Sequence, residues 1–267
     1  MLPMANRPRH PKDQDRNFDD LADHFNKKIY GSLKGQIRLA VLERDFERHL
    51  PRTASGLNAL DVGGGQGHVA KVLARFGYHV HLIDISVNML KQAEVQLCDE
   101  LARRTVELEV ASLQELSTRG TQYDLVCCHA VLEWLAHPAQ AITQLMKLLK
   151  PGGLLSILFY NRDALVFRNL LRGNLRAALQ EDPSGEVRSL TPLNPQSFQV
   201  VSRQLQRDNA IIRCRSGVRV YVDYMDRGAP DRIVADQLIG HELYLSDVDP
   251  FWRLGRYIHL IAEKQWN

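Results

Sequence analysis

A glycine-rich stretch followed by an acidic residue is the most informative combination of residues in the chain. Residues 60–68 read LDVGGGQGH, so an apolar run ends at Asp61 and four glycines follow closely. Glycine lets the backbone turn sharply and lie directly against a ligand. A second apolar run ends at Asp84, about 20 residues beyond the glycines, where a carboxylate can accept both ribose hydroxyls of a nucleoside. The pattern predicts a site for an adenine nucleoside or nucleotide.

The acid directly before the glycines separates two classes of cofactor. A dinucleotide uses the wider G-x-G-x-x-G turn, with its pyrophosphate at a helix N-terminus. A carboxylate at Asp61 would repel a pyrophosphate, but it would attract an ammonium or sulfonium group. S-adenosylmethionine carries both of these cations. The sequence therefore favours S-adenosylmethionine as the cofactor.

These residues need a scaffold that brings the ends of several strands together. Strand and helix patterns alternate along the chain, which predicts an α/β, Rossmann-like class I methyltransferase fold. We expect a mostly parallel seven-stranded sheet with helices on both faces and a helical insertion after strand 5. The predicted strands are residues 58–62, 79–84, 106–111, 123–128, 153–160, 217–222 and 256–263. The predicted helices are residues 18–30, 33–50, 67–76, 86–101, 138–150, 164–180, 195–207 and 231–245.

The predicted organisation is a single domain preceded by a short arm. A chain of 267 residues can form one or two domains, and we expect one. The expected parts are a disordered basic arm (residues 1–15), an N-terminal helical cover (16–57), the cofactor-binding core (58–161), the helical insertion (162–210) and C-terminal strands with a helix (211–267).

Composition indicates an ordinary globular protein of the cytoplasm. Charged residues make up 24%, hydrophobic residues 45%, and the formal net charge is +3. We expect no membrane span and no signal peptide, because the sequence has no long apolar segment and its start lacks an apolar core. Cys98, Cys127, Cys128 and Cys214 show neither C-x-x-C spacing nor a nearby histidine cluster, so we expect no disulfide and no metal site.

Several blocks outside the glycine turn carry a more specific resemblance. They are DRNFDD (15–20), IYG (29–31), KGQIR (34–38), HAVLEW (129–134), FYN (159–161), GVRV (217–220) and LGRYIH (254–259). With these blocks the chain resembles the bacterial tRNA 5-carboxymethoxyuridine methyltransferase family from about Gln14 to its end. The resemblance implies methyl transfer from S-adenosylmethionine to the carboxylate of 5-carboxymethoxyuridine at the tRNA wobble position, forming the methyl ester. The implied partner is the tRNA anticodon loop, and the oligomeric state stays open.

The same resemblance implies a set of cofactor-binding residues. They are Arg38, Gly63, Gly64, Asp84, Ser112, Leu113 and His129. An arginine such as Arg38 can clamp the methionine carboxylate. Ser112 and Leu113 follow the third predicted strand, where a polar group and backbone amides can contact the adenine. His129 follows the fourth strand, at the carboxyl edge where ligands of doubly wound folds bind.

The implied reaction calls for positioning and no general base. A carboxylate is already ionised near neutral pH, so the enzyme's task is to hold it against the methyl group and exclude water. We therefore assign no catalytic residue. The candidates for holding the substrate carboxylate or stacking the wobble base are Tyr30, Tyr160, Arg219, Arg256 and Tyr257.

Arginines in the predicted insertion suggest a second contact with RNA. Arg168, Arg172 and Arg176 recur every four residues, so on one helix they would share a face. That face could bind anticodon-loop phosphates. It is equally compatible with a solvated helix surface.

Two other functions fit the same residues. One is a small-molecule O-methyltransferase, for instance acting on a quinol, with His129 as general base. The other is a non-catalytic RNA-binding module that retains a methyltransferase fold, because a fold does not prove an activity.

Overall fold

A seven-stranded sheet forms the centre of the protein. The computed structural model describes residues 15–16, 32–51, 55–178, 192, 194–226 and 228–266. The strands are β1 (Asn58–Val62), β2 (His79–Asp84), β3 (Val106–Val110), β4 (Tyr123–His129), β5 (Leu149–Tyr160), β6 (Ala210–Val218) and β7 (Tyr257–Lys264). Their order in the sheet is β3-β2-β1-β4-β5-β7-β6. β1 to β5 are parallel to one another, whereas β7 runs antiparallel to both β5 and β6. The predicted fold class is confirmed.

Ten α-helices in the described residues accompany the sheet. They are α1 (Leu33–His49), α2 (His68–Arg75), α3 (Val87–Gln96), α4 (Cys98–Ala102), α5 (Leu113–Leu116), α6 (Pro138–Lys147), α7 (Arg162–Leu171), α8 (Leu175–Ala178), α9 (Phe198–Arg207) and α10 (Ala235–Leu245). Short 3-10 turns span Leu132–Trp134, Pro230–Arg232 and Phe251–Leu254. No helix in these ranges is long and apolar enough to cross a membrane.

Two apolar clusters, one on each face, hold the helices to the sheet. Leu145 and Leu205 anchor α6 and α9 on one face, while Phe46, Leu73 and Leu90 anchor α1, α2 and α3 on the other. Removing such side chains from water is the main force that fixes the layers. Both faces of the central strands are thus covered, as expected for a largely parallel sheet.

α1 is unusual because its buried face carries charges. Ser32 caps the helix by accepting a hydrogen bond from the Gly35 amide, and Ile37 is fully buried. Arg38 and Asp45 are also buried, at 8% and 1% exposure. Charged groups are buried only where they have partners or bind ligands. Arg38 and Asp45 are therefore expected to have partners or a ligand beneath α1.

The prediction of a strand over residues 217–222 is wrong in its position. β6 spans Ala210–Val218, and Arg219 has a φ of +60°, which ends the extended conformation. The next three backbone amides, from Val220 to Val222, donate to the carboxylate of Glu242. They are therefore not available to a neighbouring strand. The insertion also ends one residue before the predicted boundary at residue 210, because Ala210 already belongs to β6.

The predicted helix over residues 164–180 is interrupted. α7 ends at Leu171, and Gly173 adopts a φ of +68° before α8 begins at Leu175. Arg168 lies on α7, whereas Arg176 lies on α8. The three arginines predicted to form one stripe therefore do not share a helix face.

The predicted boundary between the N-terminal arm and the folded domain shifts by one residue, to include Asp15 in the domain. The carboxylate of Asp15 accepts hydrogen bonds from the Ala136 amide and the Gln114 side chain, at 2.8 and 2.9 Å. Asp15 therefore belongs with the folded domain and not with the predicted arm. The rest of the arm and the predicted helix over residues 18–30 lie outside the described residues.

Candidate functional site

The glycine turn between β1 and α2 forms one wall of a cavity at the carboxyl edge of the sheet. Gly63 has a φ of +62°. A Cβ at Gly63 would lie 2.6 Å from Cγ2 of Val131, and one at Gly64 would lie 2.7 Å from Oδ2 of Asp61. No larger side chain fits either position without displacing its neighbours. The turn thus requires its glycines.

Asp84, at the end of β2, holds the turn in place. Its Oδ2 accepts a hydrogen bond from the Gly65 amide, and its Oδ1 accepts one from the Ser86 amide, each at 2.9 Å. A carboxylate has further acceptor positions for ribose hydroxyls. One side chain therefore links the glycine turn to the start of α3.

Asp61 places an acidic group behind the turn. It is 1% exposed, and its Oδ2 has no hydrogen-bond partner among the residues that the structure describes. Burial, reinforced by the nearby Asp84 carboxylate, raises the pKa of Asp61 to about 7. A cationic ligand would favour the ionised form of this group.

The seven residues predicted to bind the cofactor line this single cavity. The cavity opens to solvent on one side. Arg16 and Trp134, which sequence reasoning missed, also line it. The Arg16 guanidinium lies 5.3 Å from the centre of the Trp134 ring, an arrangement that no spacing in the sequence indicates.

Ser112 is engaged as a helix cap. Its hydroxyl and its backbone amide both donate to Oε2 of Glu115 at 2.8 Å, and the Glu115 amide donates to the hydroxyl. This capping box begins α5. Leu113 is 4% exposed and contributes its side chain to the cavity wall. The role of the pair in adenine binding stays a prediction.

His129 ends β4 and faces the same cavity. Its Nε2 lies 2.8 Å from Oγ of Ser156. Burial, followed by the positive charges of His259 and Arg38, holds the pKa of His129 well below its usual range. The imidazole is therefore neutral at physiological pH and weakly basic, which makes it a poor general base.

Four of the five residues predicted to bind the substrate lie together beside the cavity. We call this group, which consists of Tyr160, Arg219, Arg256 and Tyr257, the arginine–tyrosine cluster. The rings of Tyr160 and Tyr257 meet edge to face with centres 5.3 Å apart. Arg256 lies 4.7 Å from the centre of the Tyr160 ring, and Arg219 lies 5.3 Å from that of Tyr257. Arg38 lies 5.4 Å from the Tyr257 ring, so Tyr257 joins the two sites. The fifth candidate, Tyr30, lies outside the described residues.

Asp223, which sequence reasoning missed, is the acid that these cations share. Its Oδ1 accepts from Lys34 at 2.7 Å, and its Oδ2 lies 3.3 Å from Arg219 and 4.0 Å from Arg256. Arg168 lies nearby, and its pKa is lowered by burial and by repulsion from Arg256 and Arg172. The Nε atoms of Arg168 and Arg256 are buried without a hydrogen-bond partner in the described chain. The cluster therefore has cationic donors left for an anion.

Comparison with known proteins identifies the family. A model of the methyltransferase domain matches residues 60–157. The chain is 35% identical over 253 residues to the tRNA 5-carboxymethoxyuridine methyltransferase of Escherichia coli strain K12, covering 94% of this chain and 97% of that protein. The chain belongs to the tRNA 5-carboxymethoxyuridine methyltransferase family.

Other relatives share less of the chain or only the fold. The ubiquinone biosynthesis O-methyltransferase of Xylella fastidiosa is 32% identical over 114 residues, which are 42% of this chain and 46% of that protein. Among solved structures, the cyclase SpnF has a TM-score of 0.61 at 18% identity, covering 99% of this chain and 100% of that one. Magnesium protoporphyrin IX methyltransferase from Synechocystis PCC 6803, with bound S-adenosylmethionine, has a TM-score of 0.56 at 17% identity and 93% coverage of both chains.

In this member of the tRNA 5-carboxymethoxyuridine methyltransferase family, a buried acid lies between the two sites. Glu133, in the turn after β4, is 1% exposed, and its Oε2 has no hydrogen-bond partner within the described ranges. Burial raises the pKa of Glu133 to about 7, opposed by backbone hydrogen bonds and by Arg38. Burial raises the pKa of Tyr257, and the negative charge of Glu133 adds to this rise. Glu133 belongs to the HAVLEW block at residues 129–134, but no spacing in the sequence indicates that it is buried beside the site.

A second buried acid shapes the arginine–tyrosine cluster from behind. Glu242, on α10, is fully buried and accepts backbone hydrogen bonds from Val220, Tyr221 and Val222 at 2.7, 3.2 and 2.9 Å. These amides belong to the loop that carries Arg219 and Asp223. Glu242 therefore fixes the loop that presents both side chains, without itself belonging to the cluster.

Proposed function

We propose that the protein transfers a methyl group from S-adenosylmethionine to the carboxylate of 5-carboxymethoxyuridine at the wobble position of the tRNA anticodon loop, forming the methyl ester. The observation that carries this proposal is the arginine–tyrosine cluster, a partly neutralised group of cations next to the cofactor cavity. Similarity to the Escherichia coli protein over 94% of the chain supports it. A tRNA substrate implies work in the cytoplasm.

The cavity fits S-adenosylmethionine by the chemistry of its walls. Asp84 would accept the ribose hydroxyls, and Arg38 would pair with the methionine carboxylate. Asp61, buried with an unpartnered oxygen, provides a negative charge for a cationic ligand. When bound, S-adenosylmethionine supplies an electrophilic methyl group and leaves as a neutral thioether.

The arginine–tyrosine cluster would hold the substrate carboxylate. Arg219 and Arg256 have side chains that are each 15% exposed, so they can be reached but are largely shielded from water. Burial raises the pKa of Tyr160 to about 12, which keeps its hydroxyl a neutral donor. Guanidinium groups already lie over both tyrosine rings, which favours hydroxyl contacts over base stacking as their role. Arg168 joins this set as a new candidate.

No residue is needed to activate the nucleophile, because the carboxylate is ionised near neutral pH. The residues described here bind, orient and shield it, and proximity of this kind accounts for much of enzymatic rate acceleration. A quinol would require a base, and the weakly basic His129 does not suit that task. The ubiquinone relative also matches only 42% of this chain, which further weakens the small-molecule alternative.

The test is nucleoside analysis of tRNA from a strain that lacks the gene. Mass spectrometry should show accumulation of the free acid and loss of the methyl ester, and purified protein with labelled S-adenosylmethionine should restore the ester on that tRNA. Asp84→Ala serves as the inactive comparison. An unchanged nucleoside profile in the deletion strain would exclude the proposed substrate, and a changed quinone content would support the alternative.

A further inference from the structure

A continuous chain of hydrogen bonds crosses the sheet and ends at the cofactor cavity. Oδ2 of Asp45 lies 2.7 Å from Nδ1 of His259, whose Nε2 lies 2.8 Å from Oγ of Ser156. The same Oγ lies 2.8 Å from Nε2 of His129. None of these four residues is more than 7% exposed. The cofactor chemistry proposed above uses only the last of them.

Strand register explains why these side chains meet. His129 pairs with Leu158 on β5, and Leu158 pairs with His259 on β7. Residues paired in this way point to the same face of the sheet, and so does Ser156, two positions before Leu158. The hydroxyl of Ser156 therefore lies between the two imidazoles. α1 packs over this face and supplies Asp45.

The direction of the hydrogen bonds follows from the carboxylate. Asp45 can only accept, so Nδ1 of His259 carries a proton. Arg44 already donates to Oδ1 of Asp45 through Nε and Nη2, at 3.1 and 2.7 Å. In a neutral imidazole with its proton on Nδ1, Nε2 is an acceptor. Nε2 of His259 then accepts from Ser156, and Ser156 in turn accepts from Nε2 of His129.

This hydrogen-bond direction determines the protonation of Nδ1, the other ring nitrogen of His129. With the proton on Nε2, Nδ1 is a bare acceptor, and it has no hydrogen-bond partner in the part of the chain that the structure describes. Phe46 stacks on the ring with centres 6.2 Å apart and restricts its rotation. His129 thus presents a fixed lone pair beside a cavity suited to a cationic ligand.

We propose that Asp45, His259 and Ser156 are positioning residues that hold His129 in its Nε2–H tautomer, so that Nδ1 accepts a hydrogen bond from the ammonium group of S-adenosylmethionine. The ammonium contact rests on the proposed cofactor, whereas the tautomer does not. Ligand-binding histidines commonly owe their tautomer to such a partner on the other ring nitrogen.

The sharpest test is Asp45→Asn. Arg44 retains the amide oxygen, so the NH2 group turns toward Nδ1 of His259 and reverses every bond of the chain. Nitrogen-15 NMR of histidine-labelled protein without cofactor should then show His129 as the Nδ1–H tautomer, in contrast to the Nε2–H form of the wild type. The His129 signals are assigned by their loss in His129→Gln.

Ser156→Ala breaks the chain and should leave His129 as a mixture of tautomers. In Asp45→Asn the dissociation constant for S-adenosylmethionine should rise about tenfold or more, the effect of one hydrogen bond to a charged group. In Ser156→Ala it should rise about twofold, because only the fraction of the protein with His129 in the Nε2–H form can accept the ammonium hydrogen bond. The matched control is Ser216→Ala, because Ser216 is equally buried but bonds to Arg44 at 2.9 Å and not to the chain. It should change neither measurement.

Each outcome decides one part of the proposal. An unchanged His129 spectrum in both folded variants, or an Nδ1–H form in the wild type, would overturn the relay. A changed tautomer with unchanged cofactor affinity would overturn the ammonium contact. If the wild type itself fails to bind S-adenosylmethionine, the proposed cofactor is wrong, while the tautomer measurement remains valid.

Discussion

The two carboxylate oxygens of Asp84 accept hydrogen bonds from two backbone amides, so removing the side chain should disturb the glycine turn as well as the ribose contact. We expect Asp84→Ala to weaken binding of S-adenosylmethionine by about 1.5 to 3 kcal/mol, the usual cost of losing hydrogen bonds to a charged group. Isothermal titration calorimetry gives the value. Asp84→Asn, which keeps one oxygen acceptor, should lose less, and equal affinity of a folded Asp84→Ala variant and the wild type would remove Asp84 from the site.

Asp61 predicts that cofactor binding depends on pH. Its pKa of about 7 leaves the group partly protonated near neutrality, and a cationic ligand would favour its ionisation. Binding of S-adenosylmethionine should therefore release protons and strengthen as pH rises from about 6 to 7.5, by at most about tenfold per pH unit for one proton. Calorimetry in buffers of different ionisation enthalpy measures the release.

Asp61→Asn is the control for this pH dependence. It is uncharged at every pH, so proton release should disappear, while Glu133, with a similar pKa, is left unaltered. If Asp61→Asn still releases as many protons on binding S-adenosylmethionine as the wild type does, a group other than Asp61 is the source of the released protons.

Individual site residues differ in how far sequence could predict them. Gly63, Gly64, Asp84, Ser112, Leu113 and His129 lie at or just after strand ends, so the order of strands and helices brings them together. Arg38 lies on α1 and was predicted only from the family resemblance. Asp223, Glu133 and Asp45 are different, because each acts through partners on elements distant in sequence. Only the register of β4, β5 and β7 reveals that Ser156 lies between two histidines.

At the scale of elements, the loop after β6 depends on a single carboxylate. We expect Glu242→Ala to release the three amides of residues 220–222 and to raise the KM for tRNA, because Arg219 and Asp223 lose their fixed position. The affinity for S-adenosylmethionine should stay unchanged, since neither Glu242 nor the loop that it holds lines that cavity. Unfolding in urea should show a loss of about 1 to 3 kcal/mol for each buried amide left unsatisfied. Glu242→Gln, which retains one acceptor oxygen, should be milder, and an equal rise in both binding constants would contradict the assignment.

The break between α7 and α8 gives the arginines separate roles. Arg168→Ala should slow methyl transfer and weaken tRNA binding, because Arg168 lies beside Arg256 and Tyr160. Arg176→Ala is the matched control, on a different helix and exposed, and should leave methyl transfer unchanged. Single-turnover rates with labelled cofactor measure both, and identical losses would restore the idea of one continuous stripe.

The strand predicted over residues 217–222 shows how a local sequence pattern can misplace a strand. Residues 217–222, GVRVYV, alternate in a way typical of a strand. The strand nevertheless ends at Val218, because Arg219 turns the backbone and Glu242 captures the following amides. That carboxylate belongs to another helix, so the local alternation contains no sign of it. The predicted helix over residues 164–180 fails for a local reason, the turn at Gly173.

For the whole molecule, buried acids set how stability varies with pH. The pKa values of Asp61 and Glu133 rise to about 7 on folding, so the native state binds more protons than the unfolded chain between about pH 4 and 7. Their contribution is complete at low pH and is lost as pH rises through about 7. The lowered pKa values of His68 and His129 act in the opposite direction below about pH 6.5, so the test compares the wild type with a variant. The free energy of unfolding of the wild type in urea, relative to that of Asp61→Asn, should fall from pH 5.5 toward 7 by about 1.4 kcal/mol per pH unit. A difference between the two proteins that does not vary with pH would contradict this expectation.

The opposite sign applies to Asp45. Burial alone would raise its pKa, but the hydrogen bond from His259 and the charges of His259 and Arg44 lower it to about 2. Its contribution to stability is therefore present above about pH 4 and is lost as pH falls toward 2.

The surplus of positive charge around Asp223 also bears on turnover. In the proposed reaction the carboxymethoxy group of the substrate arrives as a carboxylate and departs as a neutral ester, while the cofactor loses its sulfonium charge in the same step. Arg219, Arg256 and Arg168 thus attract the reactant and have no comparable hold on the product. Accumulated product would compete weakly with fresh substrate. The chemical step itself thus removes the attraction that these three arginines exert on the modified group.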